Sequence, residues 1–320
     1  PIEIAAFAEP REDQARKVAS IYGAKPYADY RQMLANESLD GVIVTSSDNV
    51  HLEHTLAALE VGLPVLVEKP IARSLSDARQ ICAAADQRGL LLMAVANKRY
   101  SPPYRRAKQI IQSGAVQNPA LFVGKFNLGY DDVDLFEGGT IHLFDLALYL
   151  MGQVTAVSAI GVNKYGRNPR YPFDNAAIQL EFQSGAIGSL TTSASALSFK
   201  PWERVEVYGD HAWFAVEDQS ELILYDSEQG GAQSWKPVVP NTLLFDEEFG
   251  GYMGIVENFA QSIRGVESPL VTGWDGYRAF ELLTAAHLSM IEHGRINLPL
   301  DVASADQKVQ TRLKSGNNSA

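Results

Sequence analysis

The chain has 320 residues, 46% of them apolar and 20% charged, with a net charge of −11. That length suits two domains with separate cores, and the composition is ordinary for a globular enzyme. The acidic balance argues against a general nucleic-acid binder, and no stretch approaches the roughly 18 unbroken apolar residues of a membrane span. No signal peptide is visible at the N-terminus of this sequence. The single cysteine, Cys82, shares an apolar helical stripe with Ala78, Ile81 and Ala85. A core position suits it better than a nucleophile, and it can form no internal disulfide. These features point to a cytoplasmic protein.

Ile2–Ala8 reads as a strand, Glu12–Tyr22 as a helix closed near Gly23, and Asp29–Asn36 as a second helix. Gly41–Thr45 is apolar without alternation, as in a parallel strand buried on both faces. A helix over Val50–Glu60, a strand over 64–67, a helix over Ser76–Arg88 and a strand over Leu90–Ala96 follow. This βαβα order predicts an α/β, Rossmann-like, doubly wound parallel sheet over residues 1–97.

From about residue 115 the period changes. Leu121–Phe126 reads as a strand, and Ala176, Ile178, Leu180 and Phe182 alternate with Ala177, Gln179 and Glu181. Ser184-Gly185 and Gly209-Asp210 are hairpin turns between further apolar runs. Ile255, Val256, Phe259 and Ile263 mark one late helix; Ala279, Leu282, Leu283, Ala286 and Met290 mark another. Residues 98–305 are therefore expected to form an α+β domain on a largely antiparallel sheet. Residues 306–320 are expected to be a C-terminal tail, polar and frayed over Ser315–Ser319. The sequence shows no internal repeat.

Lys69 stands between a carboxylate and a proline, in Glu68-Lys69-Pro70, at the carboxyl end of the strand 64–67. Ligands bind at that end of open α/β sheets. The plain alternative is a solvated charge pair in a βα loop. Glu9 ends the first strand, where a carboxylate accepts the ribose hydroxyls of a dinucleotide and repels a 2′-phosphate. An acidic helix N-terminus beside Arg11-Glu12-Asp13 is the alternative. No G-x-G-x-x-G occurs; the nearest cluster, Gly250-Gly251-Tyr252-Met253-Gly254, opens a helix in the other domain. If the first visible strand is the second of the fold, a unit of roughly 30 residues with the phosphate turn lies outside this sequence. That is favoured over its loss, because deleting a central strand would expose the apolar faces of its neighbours.

Several stretches together resemble one family, the Gfo/Idh/MocA oxidoreductases (glucose-fructose oxidoreductase, inositol dehydrogenase and relatives). Asp40-Gly41-Val42-Ile43-Val44-Thr45-Ser46-Ser47-Asp48-Asn49-Val50-His51 resembles its Asp-x-Val-x-x-x-Thr-Pro-x-x-x-His segment, with Ser46 and Ser47 in place of Thr-Pro. Gly62–Pro70 matches its Glu-Lys-Pro segment, and Asn97-Lys98-Arg99-Tyr100-Ser101-Pro102 its Asn-Arg-Arg-Phe-x-Pro. His142-Leu143-Phe144-Asp145 resembles its His-x-x-Asp, and Asn297-Leu298-Pro299 its closing segment. The matches run in order along nearly the whole chain. One departure is Gly138, where the family commonly has an aspartate four residues before the histidine; Thr140 also replaces a glycine.

The resemblance implies hydride transfer between NAD, or NADP, and a hydroxyl carbon of a sugar, polyol or related molecule. His142 is expected to accept the hydroxyl proton, since its free pKa lies near 7. Lys69 is expected at the substrate hydroxyl and the nicotinamide, and Asp145, one helical turn on, as the orienter of the imidazole. Ser46, Ser47, Asn49, His51, Glu68 and Asn97 join Glu9 and Lys69 as candidate cofactor contacts. Arg99 joins Lys69 and His142 as a candidate substrate contact, with a hinge role for Asn97 and Arg99 as the alternative. Tyr100 is expected to pack, and a cis peptide is expected before Pro70. His51 and His54 have ligand-like spacing, but no third ligand is evident, and no metal site is expected. The other class to weigh is a catalytically impaired ligand-binding or regulatory relative, suggested by Gly138 and the missing turn. A homodimer or homotetramer through the antiparallel sheet is implied, with Trp213 and Phe214 as candidates for that surface or for the core.

Overall fold

The computed structural model describes residues 2–129, 133–165, 172–196, 201–228, 230–238 and 249–316. Two compact units emerge: one from 1–95 with 256–276, the other from 96–255 with 277–320.

In the first unit the order is β1 (Ala6–Ala8), α1 (Glu12–Tyr22), β2 (Lys25–Tyr27), α2 (Tyr30–Asn36), β3 (Val42–Val44), α3 (His51–Glu60), β4 (Val65–Val67), α4 (Leu75–Arg88) and β5 (Leu92–Ala94). All the strand pairs are parallel; β1 pairs β2, while β3, β4 and β5 form a second ladder. The first helix ends where Gly23 adopts φ 68°, a left-handed cap that glycine takes without strain. Asp29 and Ser74 cap α2 and α4 by accepting the N–H groups of Arg31 and Asp77. The centre of the β3–β5 ladder is dry: Val65, Leu66 and Val67 are at most 1% exposed, as expected of strands covered on both faces. Cys82 packs within this core. The periodicity gave no sign of β2. It has three residues and contains Pro26, a signal against a strand. The ladder tolerates the proline, which is flanked by bonds from the Lys25 N–H to Ala5 and from the Glu9 N–H to Tyr27.

The second unit contains α5 (Pro102–Gln112), β6 (Leu121–Asn127), α6 (Ile141–Met151), β7 (Val154–Val162), β8 (Asn175–Phe182), β9 (Ile187–Ser193), β10 (Glu203–Tyr208), β11 (Ala212–Glu217), β12 (Glu221–Asp226) and β13 (Gly231–Trp235). After these come α7 (Tyr252–Ile263), of the first unit from Val256 on, then α8 (Gly273–Glu292), of the second unit from Tyr277 on, β14 (Ile296–Asn297) and α9 (Val302–Gly316). The described strands form one nine-stranded sheet, ordered β13-β12-β11-β10-β6-β9-β8-β7-β14. Only the β6–β9 pair in it is parallel. One face is covered: Phe122, Ile178, Leu180, Leu190, Val205, Val207 and Phe214 are no more than 1% exposed. Phe214 is thus core, while its neighbour Trp213 belongs to the opposite face.

From residue 306 the chain continues as a helix as far as Gly316; of the stretch expected to fray, residues 317–320 lie outside the described residues. The start signal is Asp301, whose carboxylate accepts the Ser304 N–H at 2.9 Å. Ala305 buries itself one turn on, and Lys308 reaches Glu292 at 2.7 Å.

Candidate functional site

The first unit carries all the cofactor-side candidates except Asn97. They follow β1, β3 and β4, so parallel pairing within each ladder puts the carboxyl ends of its strands at one edge. Glu9, after β1, accepts three hydrogen bonds from Arg11: the backbone N–H and Nε at 2.9 Å, and Nη2 at 3.0 Å. Those bonds hold its carboxyl at about 2, far below the usual glutamate range. The group is therefore ionised and partly open, as a ribose acceptor must be.

After β3, Ser46 is half-buried, whereas Ser47 and Asn49 are exposed, on and beside a 3₁₀ turn over Asp48–Val50. His51 is 1% exposed. Its Nδ1 lies 2.8 Å from the Pro70 carbonyl and its Nε2 2.9 Å from the Ser46 carbonyl. This ring therefore ties the loop after β3 to the loop after β4, and both nitrogens are engaged by backbone. His54 meets the Ser46 hydroxyl at 3.0 Å and packs on Tyr30.

The segment Glu68-Lys69-Pro70 leaves β4 with the Glu68 N–H still bonded to the Val44 carbonyl at 2.9 Å. The Glu68 carboxylate accepts the Lys69 N–H at 3.0 Å. Lys69 is half-buried, and its bond to Pro70 is cis.

The second unit carries the others. Asn97 is 4% exposed, and its Nδ2 donates to the Gly250 carbonyl at 2.6 Å. Gly251 makes that approach possible: its φ is 78°, and a Cβ there would lie 2.1 Å from the Asn97 carbonyl oxygen. The glycine cluster thus has a local purpose, which is to let a loop close over the turn 97–100. Tyr100 packs in the same place, against Gly254.

Arg99, read above as a substrate contact, is 4% exposed and turned onto Asp145. Its Nε donates to both carboxylate oxygens at 3.0 Å, and Nη2 donates to Oδ1 at 2.7 Å. The carboxylate of Asp145, read as the orienter of His142, accepts all three of these bonds and so anchors a buried guanidinium. Such pairs fix geometry because the planar fork matches the carboxylate.

His142 is half-buried in the first turn of α6. A π-helical turn, Phe136–Thr140, delivers it, an irregularity common at functional positions. Within that turn the Thr140 hydroxyl lies 2.8 Å from the Thr192 hydroxyl and donates to the Leu135 carbonyl at 3.1 Å. Gly138 leaves little space, since a Cβ would stand 2.7 Å from Val133 Cγ2. The imidazole stacks on Phe126, with centroids 6.3 Å apart and planes 27° from parallel.

Sequence reasoning assigned no role to Phe126, Lys98 or Glu203. Lys98 and Glu203 form a buried ion pair, to which the Tyr104 hydroxyl adds a bond at 2.5 Å. Lysine and glutamate are almost never buried without a partner, but nothing in the sequence said that these two meet.

A parallel-sheet unit with a carboxylate after β1 is thus followed by an α/β unit that carries a half-buried histidine. The comparisons give this arrangement its class, an NAD-binding oxidoreductase. The model of the Gfo/Idh/MocA oxidoreductase family's NAD-binding Rossmann fold matches residues 2–96, and that of its C-terminal alpha/beta domain matches residues 136–298. The chain belongs to that family. It is 28% identical over 312 residues to a myo-inositol 2-dehydrogenase of Thermotoga maritima, covering 92% of this chain and 90% of the relative. It is 26% identical over 297 residues to a scyllo-inositol 2-dehydrogenase (NAD(+)) of Bacillus subtilis, covering 87% and 83%. A levoglucosan dehydrogenase solved with NADH and levoglucosan shares the fold, with a TM-score of 0.83 over 93% of this chain and 91% of that one, at 19% identity.

Proposed function

We propose that this chain oxidises a secondary hydroxyl of a sugar, cyclic polyol or related small molecule, with NAD as acceptor. What supports the reading most is the half-buried imidazole of His142, fixed on a π-turn and against an aromatic wall, in a chain whose relatives are named inositol dehydrogenases. Bound NAD supplies the hydride acceptor. Glu9 would hold the ribose hydroxyls, and the loops carrying Ser46, Ser47, Asn49 and Glu68 would flank the dinucleotide. His142 takes the hydroxyl proton, a step for which a base near neutral pKa is suited. Lys69 is read as a hydrogen-bond donor to a substrate oxygen, where an ammonium stabilises developing negative charge. Asp145 and Arg99 act at one remove, by fixing α6 to the turn 97–100. Glu9 favours NAD over NADP, because a carboxylate repels a 2′-phosphate.

The assembly reading is a homodimer or homotetramer through the uncovered face of the nine-stranded sheet. One cross-strand row on that face runs Glu181, Ile187, Leu121, Tyr208, Trp213, Tyr225. Its three aromatic rings stack at 5.8 and 6.0 Å, and Ile187 is 54% exposed. A second copy would cover it. No helix among the described residues is long and apolar enough to cross a membrane; with the one cysteine buried and unbridged, we place the protein in the cytoplasm.

The test is a screen of the purified protein with NAD against inositols, aldoses and anhydrosugars, following NADH formation. Turnover on at least one, lost in His142→Gln and Lys69→Met, supports the proposal. Full turnover in either variant removes the corresponding role.

A further inference from the structure

We propose that Lys98 is a positioning residue for the His142 imidazole, acting through the ring of Phe126. The inference rests on the reading of His142 as proton acceptor. Lys98 is 3% exposed, and its ammonium is paired with Glu203, which is fully buried. The same ammonium lies 5.3 Å from the centroid of Phe126 and 4.9 Å from that of Trp202. Trp202 meets Phe126 edge-on, at 5.4 Å and 87°. The backbone of Gly139 also abuts that ring: a Cβ there would stand 2.6 Å from Cε1. Phe126 in turn stacks on His142.

Each contact restrains the ring of Phe126. A cation over an aromatic face is attracted by the ring quadrupole, more strongly when it is desolvated. An edge-on indole fixes the tilt. The glycine backbone closes the remaining approach. The imidazole therefore meets a wall of one orientation.

The ion pair itself calls for a reason. Buried pairs are weak sources of stability, since apolar residues of similar volume often do as well, and their best-attested use is to specify one geometry. Here the geometry specified leads to a proton acceptor, whose placement matters on the scale of about 0.5 Å. The nearby sequence fits this view, because Lys98 lies in the same turn as Arg99, which anchors α6 from Asp145. One turn thus fixes both the helix that carries His142 and the ring that the imidazole rests on.

The test reads the ring directly. Phe126 shifts the His142 ring-proton resonances through its ring current, and those resonances are assigned by their loss in His142→Gln. The double variant Lys98→Met with Glu203→Gln removes both charges and leaves neither unpaired. Its His142 resonances are expected to move toward their positions in Phe126→Leu. Its kcat, on the alcohol giving the fastest NADH formation, is expected to fall by about tenfold to a hundredfold with KM nearly unchanged, the pattern of a misplaced reacting group. Lys98→Arg keeps a cation over the ring and is expected to recover most of both. A folded double variant with wild-type resonances and kcat overturns the proposal. Should that variant not fold, Phe126→Leu carries the test, and unchanged resonances with unchanged kcat overturn it equally. Full turnover in His142→Gln would remove the base assignment instead; the resonances would still decide whether Lys98 orients that ring.

Discussion

Arg99 and Asp145, 46 positions apart, form a buried pair in which one guanidinium makes three hydrogen bonds to one carboxylate. It joins the turn 97–100 to α6, three residues beyond His142. Removing one partner takes three charge-assisted bonds from a buried charge. Arg99→Leu is expected to lower stability by about 3–5 kcal/mol. Arg99→Lys is expected to recover only part, because a point charge cannot reproduce the fork. Urea unfolding of the single variants and the Arg99→Leu/Asp145→Leu double variant gives the coupling. Additive losses would remove the pair as a structural device.

Glu9 gives a pH prediction. Its carboxyl is lowered from 4.5 to about 2 by Arg11. A depressed carboxyl contributes stability that is present above its unfolded value and lost as pH falls through the folded one, so the window runs from 4.5 down to about 2. Arg11→Ala should return the carboxyl to the ordinary glutamate range, read by NMR titration of its carbon. The same pair bears on cofactor choice. Glu9→Ser removes the repulsion of a 2′-phosphate and frees Arg11, so the NADPH-to-NADH affinity ratio should rise.

Gly251 tests how the turn 97–100 is closed. An alanine there meets a left-handed φ of 78° and a carbonyl oxygen at 2.1 Å. Gly251→Ala is expected to cost more than about 1 kcal/mol, the scale of the φ term alone. Gly23→Ala, at φ 68° with nothing within 4 Å, carries only that term and serves as the comparison.

Legibility followed the length and period of each feature. Helices such as Glu12–Tyr22 and the alternation at Ala176–Phe182 were plain, because one face of each is buried over several residues. β2 was hidden by its proline and its three-residue length. The last helix was masked by polar composition, although Asp301 was an available cap signal. In the candidate site, Glu9, Lys69 and His142 stood out by position after a strand or within a motif. The pairing of Arg99 with Asp145, and of Lys98 with Glu203 and Phe126, did not. Those contacts join residues 28 to 105 positions apart, and only packing brings them together.

The most direct measurement is the steady-state rate of NADH formation from NAD and a cyclic polyol by wild-type protein, His142→Gln and Lys69→Met, with NADH binding followed by fluorescence in all three. A dehydrogenase using His142 as base loses about 10²- to 10⁴-fold in kcat in His142→Gln, the usual worth of a positioned base, while its NADH affinity stays close to wild type. A His142→Gln protein that turns over at the wild-type rate would contradict the assignment.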